Sequence, residues 1–179
     1  MPIIVLAVLV VFFTFLNPNF FSMRNFARIA IAASPFLMVT IGVTFIIIMG
    51  SIDLSMEGTV SLTAIVFCFC FLFFGGTLGS GGWVAIPLAL LAGAIYGALN
   101  GFIHAKLLIP SFMSSLAMGF VGIGAAVLLT GGGIVRIDDD IFRSLLTYRI
   151  QGFPLMVYVA ILFLIFGIII QKFTVLGRN

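Results

Sequence analysis

The residues best suited to chemistry stand together in Gly50-Ser51-Ile52-Asp53-Leu54-Ser55-Met56-Glu57-Gly58, which sets two carboxylates, two serines and two glycines between two long apolar runs. Upstream, residues 26–49 carry Arg28 and no other charge; downstream, residues 59–76 carry none. An ionised side chain at the centre of a membrane helix costs about 2.5–3.5 kcal/mol, so this pair would cost roughly 5–7 kcal/mol in lipid. Asp53 and Glu57 are therefore expected at a membrane surface, in a polar cavity or in a break between helices. Each of those settings lets a carboxylate handle polar cargo, meet a partner or carry a coupling ion.

The surrounding chain makes the membrane setting firm. It is 63% hydrophobic and 7% charged, against roughly 25% charge in a soluble domain, and its mean hydropathy is +1.39. A net charge of +3 on scattered Lys and Arg excludes a nucleic-acid surface. Cys68 and Cys70 lie in an apolar run and read as reduced thiols acting as small hydrophobes, far from the only histidine, His104. No metal site and no cofactor site is expected.

Six apolar spans are read at about 2–16, 26–49, 59–76, 83–104, 111–130 and 153–171, against the rule that about 20 residues cross a bilayer. They are too long for barrel strands and lack alternation. The predicted fold is all-α, a polytopic transmembrane helical bundle of about six helices. The first span has no charged leader and no clear cleavage site before Asn17, so it reads as a helix rather than a signal peptide. Asn17-Pro18-Asn19 ends it, the glycine-rich stretch 75–82 is a turn, and Ser111 is placed to cap the fifth span. The loop 131–152 holds Asp138, Asp139 and Asp140 with Arg136, Arg143 and Arg149. It reads as a solvated, charge-balanced loop rather than a calcium site.

Small residues mark the packing faces. Gly93, Gly97 and Gly101 recur at four-residue intervals, and Ser111, Ser115, Gly119, Gly122 and Ala126 form a second stripe. Such stripes let helix backbones approach closely. Pro35 predicts a bend in the second span. Asn100 reads as interhelical glue and His104 as an interfacial residue. No phosphate-binding loop follows the glycine clusters, and no catalytic set is visible. Any work done by this chain draws on another chain or on an ion gradient.

Three stretches resemble the permease subunits of bacterial ABC importers of the ribose, xylose and galactose type. The first is Ile52-Asp53-Leu54-Ser55 followed by Leu62-Thr63. The second runs from Gly97-Ala98-Leu99-Asn100-Gly101 through Lys106, Pro110, Phe112, Leu116 and Gly124 to Leu129-Thr130-Gly131-Gly132. The third is Leu176-Gly177-Arg178. Ser51, Met56-Glu57, Ser115 and Ile123 depart from the family pattern. The resemblance implies that residues 1–179 are the N-terminal half of a single transmembrane permease domain, because family members are about twice as long. It also implies a multi-pass protein of the bacterial inner membrane. Its partners would be an ATP-binding subunit pair, a second permease copy in a homo- or heterodimer, a periplasmic or lipid-anchored solute-binding protein and membrane lipid. The cargo would be a monosaccharide or similar small polar solute.

Charge counting under strict alternation puts Lys106, Lys172 and Arg178 on the side of the N-terminus and five arginines opposite, which places the N-terminus outside. The resemblance places it in the cytoplasm, and that placement is adopted. Asp53, Ser55, Glu57 and Asn100 are the expected pathway or gate residues, and Gly93, Gly97, Gly101, Ser115 and Gly119 the expected packing residues. Capping of the third helix is the main role expected of Asp53. An ion-coupled secondary transporter and a non-transporting membrane scaffold are the rival readings.

Overall fold

The computed structural model describes residues 1–174. The Leu176-Gly177-Arg178 stretch lies outside the described residues. The chain forms helices α1 (Pro2–Leu16), α2 (Met23–Ile48), α3 (Met56–Phe73), α4 (Ala85–Leu107), α5 (Ser111–Thr130), α6 (Asp140–Thr147) and α7 (Leu155–Phe173), and one antiparallel hairpin of β1 (Arg149–Ile150) and β2 (Phe153–Pro154).

Local chemistry sets the helix ends. Asn17 accepts a hydrogen bond from the Asn19 N–H at 3.0 Å and closes α1. Ser22 caps α2 by accepting from the Asn25 N–H at 3.3 Å. Leu108 takes a left-handed conformation at the end of α4, and Pro110 then opens α5. The His104 ring bridges that turn, Nδ1 lying 2.7 Å from the Ile109 carbonyl. A carbonyl only accepts, so Nδ1 carries the proton.

Five helices, α2, α3, α4, α5 and α7, are long and apolar enough to cross a membrane. α1 is not: fifteen residues rise only about 22 Å, against a hydrocarbon core of roughly 30 Å. The expected helical bundle is thus present, with five helices of crossing length among the described residues and the first expected span forming the shorter α1. The segment 131–152, expected to be a solvated loop, instead folds into α6 and the hairpin. Asp139 is the reason. It is 7% exposed and its Oδ2 accepts from the Leu78 and Phe142 N–H groups, each at 3.1 Å, capping α6 and pinning it to the α3–α4 turn. Phe142 then packs on Phe67 and Phe71 of α3. Asp138 pairs with Arg143 at 3.7 Å in solvent, so the three carboxylates do not converge.

The helices pack in two groups. α3 lies against both α4 and α5, and α2 lies against α7, where Gly167 receives the Ile41 side chain. α4 runs antiparallel to α3 and α5, since Gly93 meets Thr63 while Asn100 meets Ser55 and Ser114. α3 and α5 run parallel. One end of the bundle therefore carries the α4–α5 turn, and the other carries α6, the hairpin and the start of α2.

Candidate functional site

The site begins where α2 stops. Gly50, at a φ of +73°, turns the chain left-handed, while the Gly50 and Ser51 N–H groups bond back to the Ile47 and Ile46 carbonyls. The next residues do not resume a helix. They run alongside the first turns of α5, and α5 supplies the partners their backbone needs. Ser111 Oγ accepts from the Ile52 N–H at 3.2 Å, and Ser115 Oγ donates to the Ile52 carbonyl at 3.2 Å. Ser111 is therefore the first residue of α5 and a partner of this segment, not the cap expected from sequence; no side-chain cap is present at that end.

Glycine makes the approach possible. A Cβ on Gly119 would stand 3.0 Å from the Leu54 carbonyl oxygen, and one on Gly122 would stand 2.6 Å from the Gly58 carbonyl carbon. Backbone touches backbone here, as small-residue helix faces allow. Gly119 lies about 12 Å along an α5 of about 30 Å. α3 thus begins well inside the bundle rather than level with the start of α5. Non-helical backbone at such depth occurs where protein buries it or a cavity is lined by it.

Asp53 and Ser55 organise this entry. Asp53 Oδ1 accepts from the Ser55 N–H at 2.7 Å and from the Ser55 hydroxyl at 2.6 Å. That is a local turn around Asp53, not the helix cap expected of it. Ser55 stands at the N-cap position, yet its hydroxyl is drawn to Asp53 and makes no cap bond. Asn100 Nδ2 donates to Ser55 Oγ at 3.4 Å, and Ser114 Oγ donates to Asn100 Oδ1 at 2.7 Å. A buried polar chain Asp53–Ser55–Asn100–Ser114 thereby ties three helices together, with Ser55 and Ser114 only 3% and 4% exposed. Tyr96 adds a second tie by donating to the Met118 carbonyl.

Asp53 Oδ2 makes no hydrogen bond among the described residues, and no buried side-chain polar atom there lacks a partner. Oδ2 is therefore open. Asp53 and Ser55 line a cleft of about 240 Å³ between the two helix groups. Val39, Val43 and Ile46 of α2 form one wall, Thr59 and Val60 of α3 another. Gly97 of α4 also faces it, with no atom within 4 Å of where its Cβ would be.

The remaining expected residues fall elsewhere. Glu57 lies in the first turn of α3, because that helix starts at Met56 and not at 59; it is exposed and does not line the cleft. Of the α4 glycines, only Gly93 makes the expected close contact, 3.0 Å from Thr63 Cγ2 by its Cβ position. Gly97 and Gly101 meet nothing within 4 Å, and Gly97 borders the open cleft instead. Ser114 was not singled out from sequence; its signal is a second hydroxyl next to Ser115, one position off the small-residue stripe.

Five helices among the described residues, long and apolar enough to cross a membrane, with a broken helix start beside an open cleft, make this chain a multi-pass membrane protein by class. The chain belongs to the family described as branched-chain amino acid transport system / permease component, which it matches over residues 25–179. It is 26% identical over 179 residues to the ribose import permease protein RbsC of Haemophilus influenzae, covering 98% of this chain and 54% of the relative. The L-arabinose transport system permease protein AraH of Escherichia coli is 29% identical over 178 residues, 99% of this chain and 52% of the relative. A probable ABC transporter permease protein, y4mJ of Sinorhizobium fredii, is 32% identical over 163 residues, 90% of this chain and 47% of the relative. The chain spans about half the length of the curated relatives it matches. No solved structure matches it.

Proposed function

We propose that residues 1–179 are the N-terminal half of a permease domain in a bacterial inner-membrane importer of a monosaccharide or similar small polar solute. One observation carries the reading. The interrupted start of α3 brings Asp53, whose Oδ2 makes no hydrogen bond among the described residues, to the lining of a cleft between helix groups. A carboxylate accepts hydrogen bonds from sugar hydroxyls, and the uncapped start of α3 presents free N–H groups beside it. The names of the matched relatives, for ribose and L-arabinose, support a sugar as cargo. The reading includes an ATP-binding subunit pair, a second permease copy and a solute-binding protein as partners, as the permease family implies.

A second reading rests on the cleft walls. Val39, Val43, Ile46 and Val60 are apolar, and one carboxylate among them suits the ammonium group of an apolar amino acid. Uptake of labelled ribose, L-arabinose and leucine, by cells expressing the chain with its neighbouring ATPase and binding-protein frames, separates the two. Sugar uptake that stops on ATP depletion and survives an uncoupler is expected. Uptake that survives ATP depletion and collapses with an uncoupler would assign an ion-coupled transporter. Absence of flux in reconstituted proteoliposomes would assign a scaffold.

A further inference from the structure

The start of α2, at the opposite end of the bundle from the α4–α5 turn, carries an arrangement that the transport reading leaves unused. Arg24 and Arg28 stand four residues apart in the first two turns of α2. The aligned peptide dipoles place partial positive charge there, so cations are disfavoured. No acidic residue occupies that first turn, whereas α3 has Glu57 and α6 has Asp140 in theirs. Among the described residues the only ion pair joins Arg143 to Asp138, which leaves both guanidiniums without a carboxylate.

The two arginines line a cleft of about 490 Å³ together with the residues of the α1–α2 turn. Part of the polar set of that turn is already matched. Asn17 accepts from the Asn19 N–H, and Asn25 Nδ2 donates to the Phe20 carbonyl at 2.9 Å. Ser22 Oγ donates to the Asn19 carbonyl at 2.6 Å while accepting from the Asn25 N–H. Neither guanidinium makes a hydrogen bond or an ion pair among the described residues. The next residue of the turn, Phe21, closes an apolar groove of about 300 Å³ with Val10, Val11 and Phe15 of α1. Thr14 also lines it, but its hydroxyl is folded back onto the Val10 carbonyl at 2.6 Å. α1 itself packs on the Pro18–Phe21 turn and on little else.

We propose that this junction holds a membrane phospholipid, its phosphate between Arg24 and Arg28 and one acyl chain in the groove beside α1. The phosphate supplies the negative charge that the helix start and both guanidiniums lack, and arginine binds it through paired N–H donors. The end of a 26-residue apolar helix is the level at which headgroups lie. The lipid fills the groove beside α1 and fixes a helix that, among the described residues, packs mainly on its own turn.

The test uses the full chain, purified and monodisperse in detergent, with retained lipid counted by native mass spectrometry during titration with phosphatidylglycerol. Arg24→Gln with Arg28→Gln is expected to weaken retention by about tenfold or more. Arg143→Gln with Arg149→Gln, which removes the same charge at the same end of the bundle, is expected to leave retention unchanged. Where the first double variant does not fold, Arg28→Gln alone is expected to lower retention by about threefold or more. Equal loss in the two double variants would overturn the site in favour of diffuse charge. Competition by sn-glycerol 3-phosphate or inorganic phosphate as strong as that by the lipid would overturn the acyl groove and assign a free-anion site.

Discussion

Asp53 Oδ1 accepts both the backbone N–H and the hydroxyl of Ser55, at 2.7 and 2.6 Å. One carboxylate oxygen therefore shapes the chain's entry to α3, and the other makes no hydrogen bond among the described residues. This division separates two properties that a single residue would otherwise confound. Replacing Asp53 by Asn keeps an acceptor for Ser55 and removes the charge; replacing it by Ala removes both.

Asp53→Asn is therefore expected to keep membrane abundance while lowering uptake. A hydrogen bond to a charged group contributes about 1.5–3 kcal/mol, which corresponds to roughly ten- to hundredfold in affinity for a hydroxylated solute. Asp53→Ala should lower uptake further and abundance to a smaller degree. Quantitative immunoblotting of membranes beside initial-rate uptake checks this. Equal loss of abundance and uptake in Asp53→Ala would make the residue structural.

The Asn100 bridge predicts coupling between helices. Asn100→Ala leaves the Ser114 hydroxyl with only the Asn100 main-chain carbonyl, at 3.4 Å, and takes a donor from Ser55. Each loss leaves buried polar groups less well matched, at about 1–3 kcal/mol. A double-mutant cycle of Asn100→Ala and Ser114→Ala, read by thermal unfolding in detergent, should give a coupling energy of about 0.5–1.5 kcal/mol. Additive effects would mean that the bridge contributes nothing to stability.

Gly97 and Gly122 separate open space from tight packing. A Cβ at Gly97, which lines the cleft, would meet nothing within 4 Å, whereas one at Gly122 would meet the Gly58 backbone. Gly97→Leu should leave the unfolding temperature near that of the parent and block uptake. Gly122→Ala should destabilise the bundle by about 1–3 kcal/mol or more, because backbone cannot give way as a flexible side chain can. If Gly97→Leu transports normally, the cleft is not on the solute's route.

Much of this arrangement is legible in the residue pattern, and the exceptions share a cause. Helix positions follow from apolar run lengths and from breaks such as Asn17-Pro18-Asn19 and the glycine-rich stretch 75–82, because those are local effects. The break at Asp53 is visible as charge between apolar runs. Its depth is not, since depth depends on where Gly58 crosses Gly119 and Gly122. The same limit explains Ser111 and Ser114, whose hydroxyls serve residues about 59 and 14 positions away in sequence. It also explains Asp139, which looks solvated among three aspartates until α6 folds onto the α3–α4 turn. Gly97 and Gly101 share a spacing with Gly93, but spacing defines a face without naming what covers it.

Glu57 gives the sharpest test between an ATP-driven and an ion-coupled transporter. Its carboxylate is in the first turn of α3, where the helix dipole favours a negative charge, and it is exposed and outside the cleft. Glu57→Gln should then leave uptake within about twofold of the parent, the usual range for surface changes, with unchanged dependence on ATP. A coupling carboxylate behaves otherwise: neutralising it abolishes gradient-driven accumulation while exchange of solute persists. Measuring accumulation and exchange side by side for Glu57→Gln and Asp53→Asn distinguishes the cases. Loss of accumulation in Glu57→Gln with exchange intact would move the function of this segment from Asp53 to Glu57 and overturn the ATP-driven reading.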